Sequence, residues 1–354
     1  MSNKRSIFQE VDGEAKDAAV AQTGLIDKGS GTGARTAVRF WLFVLMALVI
    51  LMIEVGCLTR LTDSGLSITE WRPVTGAVPP LSAAVWDSEF AKYQNIPEYQ
   101  LQNEGMSLSE FKVNYWWEWG HRQLGRVIGL VWALGFVFFL VTRKIPTGWT
   151  GRLLVIGVLG GFQGAVGWWM VASGLTGSMV DVASYRLATH LGIAFVILGF
   201  ITWYALALGR SEGDLLKQRR ARENRVYTFS TSLIGLGFLQ ILFGALVAGI
   251  DAGSSYTDWP LMAGGFFPPD PFTMEPLWRN FFEDPGLVQF MHRVTGYLLF
   301  GLGVFLWWTT RHAGNNSVKS AFKIVLGFMI LQVVLGVITV IYAAPWSVSY
   351  THLT

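Results

Sequence analysis

Stretches of about 20 residues with almost no charge recur along the chain, and their length sets the first expectation. Seven can be marked: Val38 to Thr59, His121 to Thr142, Leu153 to Ala172, Leu187 to Leu208, Tyr227 to Ile250, Val288 to Thr309 and Ala321 to Ala343. At a rise of about 1.5 Å per residue, each is long enough to cross a hydrocarbon core of about 30 Å. Lipid offers no partner to a bare peptide group, so each run is predicted to be a helix and the fold class to be all-α, a polytopic membrane protein.

Composition agrees, with 52% hydrophobic residues against 14% charged among 354. A net charge of +3 is too small to suggest nucleic acid, and the basic residues have another use. Arg143, Lys144 and Arg152 follow the second run, Arg210, Lys217, Arg219, Arg220, Arg222 and Arg225 the fourth, and Arg311 and Lys319 the sixth. The positive-inside rule makes those loops cytoplasmic, with the amino terminus on the cytoplasmic side. The alternate loops, about Arg60 to Glu118 and Asp251 to Leu287, hold more acids than bases and face outward. Residues 1–37 mix charges with small residues and read as a disordered cytoplasmic tail, not a cleaved signal. Cys57, the only cysteine, has no partner for a disulfide within the chain and reads as a small packed residue.

The chain repeats itself. Gly56-Cys-Leu-Thr-Arg-Leu-Thr-Asp-Ser-Gly-Leu-Ser-Ile-Thr-Glu-Trp71 aligns without a gap on Gly244-Ala-Leu-Val-Ala-Gly-Ile-Asp-Ala-Gly-Ser-Ser-Tyr-Thr-Asp-Trp259, sharing Gly, Leu, Asp, Gly, Ser, Thr and Trp. Glu118-Trp-Gly-His-Arg-Gln-Leu-Gly-Arg126 answers Gln289-Phe-Met-His-Arg-Val-Thr-Gly-Tyr297, and Gln163 to Gly167 answers Gln332 to Gly336. Many identities fall in polar loops, where shared hydrophobicity cannot produce them. The expected architecture is therefore two parallel-repeat four-helix bundles related by an axis along the membrane normal. Residues 38–208 form the first bundle, 209–226 a cytoplasmic linker and 227–354 the second, whose eighth helix is cut short at Thr354.

Four of the five histidines, His121, His190, His292 and His352, fall at the outward ends of the even-numbered helices; His312 lies in a charged cytoplasmic loop. An ionisable group inside a membrane helix is costly and marks function by default. Two imidazoles per four-helix bundle suit the axial positions of haem iron, and no carboxylate or thiolate cluster accompanies them to suggest another metal. Gly125, Gly129, Gly192 and Gly296 either admit a flat macrocycle or pack helices closely. Glu118, three residues before His121, shares its helix face and either handles protons or pairs with a neighbouring arginine. Gln289 stands in its place in the second copy, which points to a reactive first half and a resident cofactor in the second. Arg60, Arg122, Arg126, Arg186 and Arg293 lie at the same level, placed for carboxylates such as haem propionates or for anchoring their helices.

These motifs together resemble the haem A synthase family. The elements are Thr59-Arg-Leu-Thr-Asp-Ser-Gly-Leu-Ser67 with Trp71-Arg-Pro and Gly76-Ala-Val-Pro-Pro80, Glu118-Trp-Gly-His121-Arg122 with Gly125-Arg126, Arg186-Leu-Ala-Thr-His190, and Met291-His292-Arg293 with Gly296-Tyr297. The resemblance implies oxidation of a methyl group of haem O to the formyl group of haem A for terminal oxidase assembly. It implies a substrate haem site at Glu118, His121 and His190, and a haem B ligated by His292 and a last-helix histidine, for which His352 is the candidate. Haem O synthase and further copies of the chain are the implied protein partners. The lack of a cysteine pair in the first outward loop resembles the proteobacterial and mitochondrial branch. The rival is a di-haem b-type electron-transfer subunit, which would stack haems at two depths, often with two histidines on one helix; here no helix carries two. A transporter would show a broken helix or midplane charge, and none is evident.

Overall fold

The computed structural model describes residues 32–220, 223–344 and 352. Seven helices are long and apolar enough to cross a membrane: α1 (Thr32–Leu61), α2 (Leu108–Val141), α3 (Thr150–Val171), α4 (Ser184–Leu208), α5 (Asn224–Gly249), α6 (Pro285–Thr310) and α7 (Asn316–Ile341). Among the described residues there is no strand beyond a single bridge, Met262 to Gly265. The protein is an all-helical, multi-pass membrane protein. Of the expected tail, residues 1–31 lie outside the described residues, while from Thr32 the chain is already helical. The shortened eighth helix also falls outside them, His352 apart.

The largest departure from the apolar pattern is α2, which begins at Leu108 and not at His121. Its start is set by a capping box, in which the Ser107 side chain accepts from the Glu110 amide and the Glu110 carboxylate accepts from the Ser107 amide. At 34 residues the helix is about 50 Å long, well beyond the hydrocarbon thickness, so its first turns project past the apolar layer. There Phe111 and Tyr115 are buried among Leu66, Ile68, Trp86, Tyr93 and Ile96. A search for charge-free runs passes over this segment because it carries Glu110, Lys112 and Glu118.

In the first half, α1 packs on α2 and α4, and α3 on α2 and α4. Val38, Leu42, Leu45, Val49 and Ile53 of α1 meet Leu153 and Ile156 of α3 and Ile197 and Ile201 of α4, with Cys57 at the edge of this cluster. In the second half, α6 packs on both α5 and α7. The halves join through α4 and α5, where Ala188, Ala245, Leu246 and Val288 are buried together. Gly192, expected beside a histidine site, belongs to this junction: a methyl group there would meet Leu242 at 2.8 Å, so close helix packing is its use. His312 is exposed, as its charged surroundings suggested. Large apolar side chains on the outer faces, Phe40, Val137, Phe162, Ile234 and Phe328 among them, are exposed, as lipid-facing residues are.

The first outward loop, residues 62–107, folds into its own layer with helices Ala83–Tyr93 and Pro97–Leu101. Glu98 is buried in it and accepts hydrogen bonds from the Tyr93 hydroxyl at 3.0 Å and Asn103 Nδ2 at 3.2 Å. Burial pushes its carboxyl up to about 8 from an ordinary 4.5. Across that interval the folded chain keeps a proton that the unfolded chain has released, so stability falls as pH rises. Hydrogen exchange of the loop amides is expected to quicken between about pH 5 and pH 8, and Glu98→Gln to flatten that rise.

Candidate functional site

Each of the four site histidines lies against a glycine of an odd-numbered helix or its neighbour in the repeat. A methyl group on Gly56 would meet His121 Cε1 at 3.1 Å, and one on Gly167 would meet His190 Cε1 at 2.9 Å. In the second half the same relation holds between Gly244 and His292 Cε1 at 3.2 Å, and between Gly336 and His352 Cε1 at 2.9 Å. Gly56 and Gly244, and Gly167 and Gly336, are repeat mates, so the internal duplication carries a ring-on-glycine contact in four copies. Only a residue without Cβ lets the imidazole lie this close to the facing helix.

The rings come in pairs. His292 and His352 have ring centroids 6.4 Å apart with planes at 87°. His121 on α2 and His190 on α4 are the corresponding histidines of the first half. Gln163 Nε2 donates to the His190 carbonyl at 2.9 Å, and its mate Gln332 donates to the His352 carbonyl at 2.7 Å, fixing the second histidine of each pair to α3 and to α7. The Nδ1 atoms of His121, His190 and His352 are buried with no hydrogen-bond partner. Among the described residues no three His, Cys, Asp or Glu side chains converge, so the donor sets are imidazole pairs. Paired imidazoles leave the remaining coordination positions of a metal to a macrocycle.

Glu118 stands one turn from His121 on α2, yet its carboxylate is committed to the outward loop. It is buried, at 3% exposure, and Oε2 accepts from Ser67 Oγ at 2.8 Å and the Ile68 amide at 2.6 Å. Its Oε1 accepts from Arg122 Nε at 3.1 Å and Nη2 at 2.5 Å. Arg122 continues onto the same loop, donating to the carbonyls of Ile68 at 2.8 Å and Glu70 at 3.0 Å. Of the two roles open at the level of sequence, pairing with a neighbouring arginine is the one visible in these contacts. Gln289 repeats the arrangement with the polarity reversed: Nε2 donates to the Tyr256 carbonyl at 3.1 Å and Oε1 accepts from Arg293 Nη2 at 3.2 Å. Ile68 and Tyr256 are repeat mates, so both halves clip the same loop position to the helix bearing the histidine.

The other arginines also face the loops. Arg126 donates to the carbonyls of Pro73 at 3.0 Å and Arg72 at 2.9 Å, and Arg293 to those of Tyr256, Asp258 and Leu261 at 2.9 to 3.0 Å. Arg186 donates to the Trp169 carbonyl at 2.6 Å and lies over the Trp169 ring. Arg60 bridges the halves, bonding Asp63 at 2.9 Å, Asp251 at 3.0 Å and the Ala248 carbonyl at 3.1 Å, with Asp181 at 3.6 Å. Burial holds the carboxyls of Asp63 and Asp181 above their usual range, although Arg60 pulls both down. Arg126 Nη1, Arg60 Nε and Arg293 Nε remain buried without a partner.

Between the first loop and α2 a small pocket of about 20 Å³ is lined by Arg72, Glu89, Tyr115, Trp119, Arg122 and Arg126. Another, of about 10 Å³, lies in the second half against Pro260, Phe266, Phe290, Arg293 and Tyr297. The two flank corresponding turns of α2 and α6, and the first is the more basic. Sequence reading missed Gly56, Gly167, Gly244, Gly336, Gln163, Gln332 and Gln240 as site residues; all but Gln240 were already visible as repeat identities.

In Glu118→Gln the single remaining carbonyl oxygen cannot serve Ser67, Ile68 and Arg122 together. Loss of an acceptor for a buried donor should cost about 1–3 kcal/mol. The Ile68 amide is then expected to exchange with solvent about 5-fold or more faster, while amides in α1 and α4 keep their protection.

Comparison with known proteins agrees with this geometry. The COX15-CtaA family, described as cytochrome oxidase assembly protein, matches residues 39–354. A protein named heme A synthase from Dinoroseobacter shibae is 64% identical over 352 residues, covering 99% of this chain and 92% of its own. Proteins of the same name from Ruegeria pomeroyi and Paracoccus denitrificans are 63% and 55% identical, with 99% of this chain covered and 93% and 91% of theirs. No solved structure matches. A match running from the first membrane helix to the carboxyl terminus, through every histidine of both pairs, shows that the chain belongs to the COX15-CtaA family of cytochrome oxidase assembly proteins.

Proposed function

We propose that this chain is a haem A synthase, oxidising a methyl substituent of haem O to the formyl group of haem A, with His121 and His190 gripping the substrate and His292 and His352 holding a resident haem B. The observation that carries this reading is the pair of imidazoles, repeated in both halves and each seated on a glycine. Two imidazoles on opposite faces of one metal, each with a bond of about 2 Å and about 1 Å from ring nitrogen to ring centre, have centroids about 6 Å apart. The 6.4 Å between His292 and His352 fits that span. Resident haem supplies one-electron redox capacity when bound.

Turning a methyl into a formyl group removes two hydrogens and adds one oxygen, a net four-electron oxidation (R–CH3 + H2O → R–CHO + 4 H+ + 4 e−) whose electrons pass to an external oxidant, dioxygen or a one-electron carrier. The route we favour passes through an alcohol to a geminal diol that loses water. The chain's own groups hold the substrate by His121 and His190, shield it between α1, α2, α3 and α4, and meet its carboxylates from the basic cavity. Arg126 Nη1 is the donor there without a protein partner. For Arg60 and Arg293 the loop contacts leave only Nε without a partner, and Arg122 donates from Nε, Nη1 and Nη2, so its part in carboxylate binding would require rearrangement. Glu118, saturated by four donor groups, serves this site first as the clip that holds residues 67–70 over it, and a proton role would require one of those bonds to open. The basic loops after α2, α4 and α6, together with the bacterial relatives, support an inner-membrane location with the amino terminus in the cytoplasm. Haem O synthase and further copies of the chain are the partners consistent with this chemistry.

The test is co-expression with a haem O source, followed by extraction and chromatographic separation of the haems. Haem B together with haem O or haem A is expected. His121→Ala and His190→Ala should each lower conversion by about 10²-fold or more, and His292→Ala should remove haem B. Recovery of haem B alone from the unaltered chain would favour the electron-transfer alternative, and unimpaired conversion by Glu118→Gln would remove the proton role.

A further inference from the structure

The two histidine pairs share their glycine seats and differ beside the first histidine of each. Four residues before the glycine that seats the histidine, α5 carries Gln240 where α1 carries Met52. Both side chains reach the same place. A methyl group on Gly125 would meet Met52 Cε at 3.4 Å, and one on Gly296, its repeat mate, would meet Gln240 Nε2 at 3.3 Å. Gln240 Nε2 also lies 3.1 Å from His292 Nδ1 and 3.2 Å from its Nε2, while Gln240 Oε1 is buried with no partner. Of the four site histidines, His292 alone has a side-chain polar group against its ring; the Nδ1 atoms of the other three lack any partner.

We propose that Gln240 is a positioning residue for His292, and that the Gln240/Met52 difference makes the second centre permanent and the first exchangeable. This rests on the haem reading of the two pairs. A histidine bound to metal through one ring nitrogen keeps a proton on the other, and a partner that accepts it fixes the ring's tautomer and orientation and strengthens the bond to the metal. Gln240 lies over the His292 ring, nearly equidistant from both nitrogens; half a turn of its amide exchanges the two nearly isosteric ends, and a turn of the imidazole then brings Nδ1–H onto Oε1. A thioether is a weak acceptor, so Met52 cannot do this for His121. That suits a site whose occupant must arrive as substrate and leave as product, whereas a resident cofactor gains from a ring that cannot turn.

The experiment uses the purified full chain and three variants. Gln240→Met gives the second half the residue of the first, Gln240→Glu keeps an acceptor in place, and Met52→Gln makes the reverse exchange. Redox titration of the haem absorbance reads the midpoint potential, and transfer to a haem-scavenging apoprotein reads the off-rate. Gln240→Met should raise the potential of the resident centre, because a less electron-rich imidazole favours the ferric state less, and should speed its haem loss by about 10-fold. Gln240→Glu should hold the potential at or below that of the unaltered chain with slow loss. Met52→Gln should slow loss from the first centre. Unchanged potential and off-rate in Gln240→Met, or Gln240→Glu behaving like Gln240→Met, would overturn the assignment. His292→Ala separates the levels: if the resident signal survives it, the underlying haem reading fails and the inference with it. If the signal vanishes and the Gln240 variants shift nothing, the inference fails alone.

Discussion

An imidazole pressed onto bare backbone is the contact on which this architecture turns. Where Gly56, Gly167, Gly244 and Gly336 face the histidines, a Cβ would press on the ring, moving it by a few tenths of an ångström at Gly56 and Gly244 and more at Gly167 and Gly336. The cost is accepted in a setting where polar atoms are expensive: buried nitrogens on three of the four rings find no protein partner. Helix lengths, loop clips and the junction between halves all act to keep those rings where they are. A bundle that was merely packing itself would have filled the glycine positions and dispensed with the histidines.

Duplication has preserved the frame and varied the chemistry. Ser67 to Glu70 and Ser255 to Asp258 are held against α2 and α6 by the same i, i+4 pair of side chains, with Glu118 and Arg122 in one half and Gln289 and Arg293 in the other. A carboxylate accepts where an amide both donates and accepts, and the loop peptide turns its N–H toward the first and its carbonyl toward the second. The clip is therefore kept while the charge beside the histidine changes. The first half thus has a buried acid next to a pocket lined by Arg72, Arg122 and Arg126, and the second an amide next to one lined by Arg293 among Phe266, Phe290 and Tyr297.

Much of this was legible in the sequence. Apolar runs place all seven membrane helices, and the repeat places four histidines in two pairs, because both signals depend only on spacing along the chain. The outer turns of α2 were hidden by Glu110, Lys112 and Glu118, which a hydropathy window counts against a helix although a capping box starts it and Phe111 and Tyr115 bury its inner face. The destinations of the arginines were hidden for a different reason. A loop folded over a membrane site turns carbonyls inward, and those need donors as much as any ligand does; Arg122, Arg126 and Arg293 meet that need. Which glycine faces which ring is a matter of helix rotation, invisible in one dimension, although the matching of Gly56 with Gly244 and Gln163 with Gln332 held the clue.

The seam between the halves is fastened at the outward end by one guanidinium. Arg60, at the end of α1, spans from Asp63 and Asp181 of its own half to Asp251 and the Ala248 carbonyl of the other, just outside the tight crossing of α4 and α5 at Gly249. The polypeptide connecting the bundles runs along the opposite side of the membrane. The two copies are thus packed along α4 and α5 and pinned beyond that packing at one end by Arg60 and by Ser184 Oγ donating to the Phe282 carbonyl, so a nick in the connection at the opposite end would leave the molecule in one piece.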